Sequence, residues 1–182
     1  PTDYKRVLDI DNATASVSYN KGTTSYNREY FVSNPGNFIG GLLTSTGGKM
    51  NKLIYFTTPQ VKATTTAEGD SIPITGWPAD PDEEEKLLFA AQIKVITDGE
   101  IIAMSNMLYI ANATRIEFYM TAGTNYQQCM DDSFDYFSDE DPLDAVKARL
   151  AALSGKSYEE LKQALRIVDA ADYDNAKKNR CN

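Results

Sequence analysis

The chain has 182 residues, 42% hydrophobic and 24% charged, the make-up of an ordinary globular domain with room for a real core. Twenty-six acidic residues against 18 basic ones leave a net charge of −8 and a pI near 4.6, which argues against a nucleic-acid footprint and an anionic membrane surface. Histidine is absent, removing the commonest general base and metal ligand and every Ser–His or Cys–His nucleophile.

The first predicted elements are the arms of a β-hairpin. Ala13, Ala15, Val17 and Tyr19 alternate with Thr14, Ser16 and Ser18, the period of a half-buried strand. Asn20-Lys21-Gly22 supplies the turn, and Thr24 to Val32 returns with Tyr26, Tyr30 and Phe31, residues that suit a pleated surface. After the turn cluster Asn34-Pro35-Gly36-Asn37, Phe38 to Thr44 is a strand weakened by Gly40 and Gly41, where a bulge or a close backbone approach is expected. Leu53 to Thr58, Val61 to Thr66 and Ile72 to Thr75 continue the extended pattern. Asp80, Asp82 and Glu83 to Glu85, beside Pro78 and Pro81, mark a solvated loop; no Gly-centred calcium spacing is present and no metal is expected.

Leu87 to Val95 is the strongest strand after the hairpin, with Asp98-Gly99 as its turn. Ile101 to Met104, Met107 to Ala111 and Arg115 to Thr121 follow at the close spacing of a sandwich. The pattern then changes. Residues 127–141 form a connector rich in Asp and aromatic side chains. Asp141-Pro142 is a helix start, and Leu143, Val146, Leu150 and Leu153 make one helical stripe. Ser157 with Glu160 is a capping box, and Tyr158, Leu161, Leu165 and Val168 make a second stripe. The expected fold is therefore mainly β: an antiparallel β-sandwich over 1–126, a connector over 127–141, two C-terminal helices within 142–172, and a frayed tail over 173–182.

Three strings carry a resemblance. Leu8-Asp9-Ile10-Asp11 is followed by Ala-rich alternation and Tyr26-x-Arg28-Glu29-Tyr30-Phe31-x-Ser33-x-Pro35. Phe89-Ala90-Ala91-Gln92-Ile93-Lys94-Val95 precedes Asp98-Gly99 and a strand ending at Tyr126. Asp141-Pro142, a helix ending at Leu153, and Lys156 to Leu161 complete the set. In this order they resemble the N-terminal β-sandwich and helical linker of glycoside hydrolase family 95, the α-L-fucosidase-type enzymes. The resemblance implies a supersandwich-like domain lacking its earliest strands and a catalytic (α/α) barrel as partner outside this chain. It also implies an extracellular or periplasmic location, and no catalytic residue here. Missing strands would leave an unpaired sheet edge, so a homodimer through that edge is an expected alternative.

Two other readings come from the residues themselves. A glycan- or partner-binding module would use Trp77, or Phe134 with Tyr136 and Phe137, as a stacking platform. The same connector composition also describes aromatics docking on the sandwich, and that reading is favoured. An independent hydrolase using Asp132 and Asp135 ranks below both, since acidic pairs are cheap among 26 carboxylates. No cofactor is expected, and Cys129 and Cys181 are read as unpaired thiols.

Overall fold

The computed structural model describes residues 1–78, 86–129 and 136–164. Its strands are β1 (Thr2–Asp9), β2 (Thr14–Lys21), β3 (Thr24–Ser33), β4 (Phe38–Thr46), β5 (Met50–Tyr55), β6 (Ala63–Thr65), β7 (Ser71–Gly76), β8 (Phe89–Thr97), β9 (Glu100–Met104), β10 (Met107–Ala113) and β11 (Arg115–Thr124). The helix α1 (Pro142–Ala151) follows, and then a helical segment over 158–164, α2. All pairings are antiparallel.

An eight-stranded sheet runs β1-β2-β3-β4-β11-β8-β7-β6, and a three-stranded sheet runs β5-β10-β9. The mainly β sandwich followed by helices is thus present, with very unequal sheets. The hairpin turn is tight: Lys21 pairs with Thr24, and Gly22 adopts φ +61° to close it. β1 adds an outer strand beyond the predicted hairpin. β5 lies earlier than the Leu53-to-Thr58 expectation because Met50, not Thr58, is the residue that reaches the core.

Strand alternation sends side chains to two different cores. On one face of the large sheet, Phe31, Phe38, Leu42 and Tyr119 pack beneath Leu150, Tyr158 and Leu161 of the helical segment. On the other face, Ile93, Val95 and Ile116 pack against Met50, Leu108 and Ile110 of the small sheet. β8 is buried on both faces because it lies under a helix and a sheet at once. The sandwich and the helices form one three-layer unit.

The Gly40-Gly41 pair lies in a regular ladder, so close approach rather than a bulge is its explanation. Phe31 lies across Gly40 on the helix side, where an added Cβ would stand 2.6 Å from the ring. Phe118 lies across Gly41 on the opposite side. The helix signals behave as their chemistry requires: the Asp141 carboxylate accepts from Leu143 N at 2.8 Å. Ser157 and Glu160 bond reciprocally in the capping box, Ser157 N to Glu160 Oε2 at 2.8 Å and Glu160 N to Ser157 Oγ at 3.3 Å. Leu165, Val168 and the 173–182 tail lie outside the described residues.

Candidate functional site

Trp77 follows directly on β7 and is half-buried at the rim of a groove of about 270 Å³. Thr64, Thr75, Leu88, Phe89 and the start of α1 form its walls. The Lys62 ammonium lies 6.0 Å from the Trp77 ring centroid, a cation–π contact that covers part of the stacking surface. Asp141 lines the groove, but its carboxylate is engaged in capping α1. What remains is one indole edge with a lysine beside it. Among the described residues lining the groove, Asp141 is the one carboxylate.

The connector aromatics fold back on the sandwich instead of joining Trp77. Tyr136 stacks on Tyr126 with centroids 6.2 Å apart and planes 2° from parallel, while Phe137 meets Tyr126 edge-on at 6.4 Å. Gln127 N donates to Tyr136 O at 2.9 Å, and Ser138 N donates to Asn125 O at 2.8 Å, so the chain pairs with itself here. The buried Asn125 fixes the junction. Its side-chain oxygen accepts from Leu88 N at 2.8 Å, and its amide donates to Lys86 O at 2.9 Å and Ser138 O at 3.1 Å. Neither Tyr136 nor Phe137 lines the Trp77 groove. Phe134, the acidic pair Asp132 and Asp135, the loop acids at 80 and 82–85, and Cys181 all lie outside the described residues.

A third place carries more polar chemistry and had no local sequence signal. Asp9 at the end of β1, Asn12 from the turn after it, Thr14 at the start of β2, Glu29 from β3, and Glu159, Lys162 and Gln163 from α2 line a cleft of about 540 Å³. Glu29 accepts from Lys162 Nζ at 2.7 Å and from the Tyr158 hydroxyl at 3.2 Å. Residues 129 and 133 positions apart meet there, so only tertiary structure could reveal the cluster. Burial first, and then Glu29, hold the Tyr158 phenol well above its ordinary range, so it is a fixed donor. Tyr119 is raised likewise by burial and by its bond to Glu117 at 2.8 Å. These contacts tie α2 to the sheet. Glu29 lines the cleft with its carboxylate held by Lys162 and Tyr158, and Glu117 is held by Tyr119. Among the described residues no group of three or more carboxylate or thiol side chains could hold a metal ion.

Comparison with known proteins bears on the whole unit. Residues 1–129 match the family model described as glycosyl hydrolase family 65, N-terminal domain. No curated protein sequence matches the chain. Among solved structures, the fold is similar to one titled "Putative kojibiose phosphorylase from human microbiome", with a TM-score of 0.61 and 13% identity over 92% of this chain. The chain spans 23% of the length of that structure. At that identity the likeness is one of fold. The matched family is 65, whereas the three sequence strings resembled fucosidase-type family 95; the common ground is a glycoside-hydrolase N-terminal domain.

Proposed function

The chain belongs to the glycosyl hydrolase family 65 N-terminal domain family, and from that premise we propose that it is a non-catalytic β-sandwich which supports a catalytic (α/α) barrel lying outside these 182 residues. The observation that carries this reading is the family match itself, over 129 of the 182 residues. Four of the described carboxylates, Glu29, Glu117, Asp98 and Asp141, are each engaged with a structural donor. Fold alone licenses no activity.

The experiment is the size of the native product, by immunoblot of source cells with an antibody to this chain. A band far longer than 182 residues supports the reading. A band at this length overturns it. The sugar handled by such a parent is a finer question. The sequence strings point to α-L-fucosides, and the similar solved structure is titled a kojibiose phosphorylase. Assay of the longer product on an aryl α-L-fucoside, and on kojibiose with phosphate, separates the two.

A second reading is a free-standing glycan- or partner-binding module, favoured by the half-buried Trp77 at its groove. On that reading the chain binds soluble glycans saturably, and Trp77→Ala abolishes binding while leaving the melting curve intact. Absence of binding to any soluble α-glycan sinks it.

A further inference from the structure

The two sheets differ by five strands, and the shortfall falls in one place. β10 touches β7, and the groove beneath β5 is walled by Tyr30, Leu43 and Phe118, so the small sheet is displaced toward the β6–β8 end. Among the described residues β5 is paired only with β10. Its outer edge therefore faces along β3, β2 and β1, whose corresponding face carries no second layer among the described residues. At about 4.8 Å per strand this bare shelf is roughly 14 Å wide, room for two to three further strands.

The shelf mixes apolar side chains with cations. One cross-strand row reads Leu8–Ala15–Tyr30–Gly41, and the next reads Arg6–Val17–Arg28–Leu43. Leu8 is 74% exposed, and Val32, on the same face, is 63% exposed. Exposed apolar residues beside a free strand edge are what proteins normally bury or disguise. The charges on the shelf are also one-sided. Arg6, Arg28 and the groove residue Lys52 are cations, and none forms an ion pair among the described residues, in a chain of net charge −8.

We propose that this shelf takes an extended β-strand from another polypeptide segment. The strand hydrogen-bonds along the free edge of β5 and lays apolar side chains on Tyr30, Leu43 and Phe118. Its carboxylates pair with Arg6, Arg28 and Lys52. Backbone pairing at the edge supplies register and affinity, and the cations select an acidic strand over a basic one. A second copy of this chain is the competing occupant. This inference is independent of any catalytic barrel.

The test uses the full chain and two proline-flanked ten-residue peptides, one alternating Glu with Val and Tyr, the other with Lys in place of Glu. The acidic peptide is expected to bind saturably and more weakly at high salt, with amide chemical-shift changes along Met50–Tyr55. Arg28→Glu and Lys52→Glu each weaken it about tenfold, the scale of one lost charge pair. Arg6→Glu, on the outermost strand, does the same without touching the core, should Arg28→Glu fail to fold. Equal binding of both peptides, binding of neither, or shifts away from β5 overturn the proposal. A concentration-dependent dimer that Arg28→Glu dissociates also overturns it, by assigning the shelf to a second copy.

Discussion

Gly40 and Gly41 are adjacent in sequence and face opposite ways, so the two aromatic rings that cover them belong to different cores. Phe31 is 2% exposed and wedged between Phe38 and Tyr158, with ring centroids 5.8 and 5.3 Å away. Phe118 lies over Gly41 but borders the open groove beneath β5. The physical expectation is asymmetric. Gly40→Ala pushes a locked ring and costs about 1–3 kcal/mol, whereas Gly41→Ala costs less because Phe118 can swing into the groove. Thermal melts of the two variants check the order; equal losses would mean Phe118 is as confined as Phe31. The sequence made the glycine pair look like a weak point in a strand. It could not show which rings required it, since Phe118 is far away in the chain.

Asp98 is another residue whose role is local and legible. Its carboxylate accepts from Thr114 N at 2.9 Å and Arg115 N at 2.8 Å, and from the Thr114 hydroxyl. The Thr114 hydroxyl bond first, and then Arg115 N, hold its pKa below the ordinary aspartate value. The native state then binds fewer protons than the unfolded one. The contribution is complete above the unfolded pKa, near 4, and fades as pH falls toward the native value. Since Asp98 is solvent-exposed the amount is about 1 kcal/mol or less. Asp98→Ala should therefore melt lower than the parent chain at pH 7, with the gap closing below pH 4. A gap that persists at pH 2.5 would locate its origin elsewhere.

At the level of elements, the helices show what sequence pattern can and cannot carry. The Asp141 cap, Pro142 at the first turn and the Ser157–Glu160 box are chemistry of adjacent residues, and all three occur where the sequence placed them. The partner of the apolar stripes is a different kind of fact. α1 packs on β8 and β11, and α2 sends Tyr158 into the cluster of Phe31, Phe38 and Tyr119. No short-range signal encodes that docking. Tyr158 is 1% exposed and anchors α2 twice, by its ring and by its hydroxyl on Glu29. Tyr158→Phe loses one hydrogen bond, about 1 kcal/mol. Tyr158→Ala empties a ring-sized site, about 3–5 kcal/mol, and should free α2 to proteolysis before the sheets unfold. Protease resistance in Tyr158→Ala equal to that of the parent would show that α2 is held by Leu161 and Lys162 instead. The connector follows the same logic: its aromatic composition fitted a glycan platform or a docking segment, and the Tyr126 stack with Asn125 beneath it favours docking at Tyr136 and Phe137.

For the whole molecule, the family boundary and the physical boundary do not coincide. The family match ends at residue 129, before α1 begins. The core on one face of the large sheet is nevertheless completed by Leu150, Tyr158 and Leu161. A chain cut at 129 would leave Phe31, Phe38, Leu42 and Tyr119 facing water, an aromatic patch on a sheet whose opposite face is also only partly covered. Burying that face supplies several kcal/mol at roughly 25 cal/mol per Å² of apolar surface. Net stabilities of domains are only about 5–15 kcal/mol, so the loss is large on the scale that matters. The 1–129 piece is therefore expected to bind a hydrophobic dye and to unfold without a sharp transition, while the 182-residue chain melts cooperatively. A cooperative melt of 1–129 at the temperature of the full chain would show that the helices are a separate attachment. The cooperative unit would then be the two sheets alone. If the truncated piece fails as expected, the helices belong to the fold, and the β5 shelf lies on the opposite face of the large sheet from them.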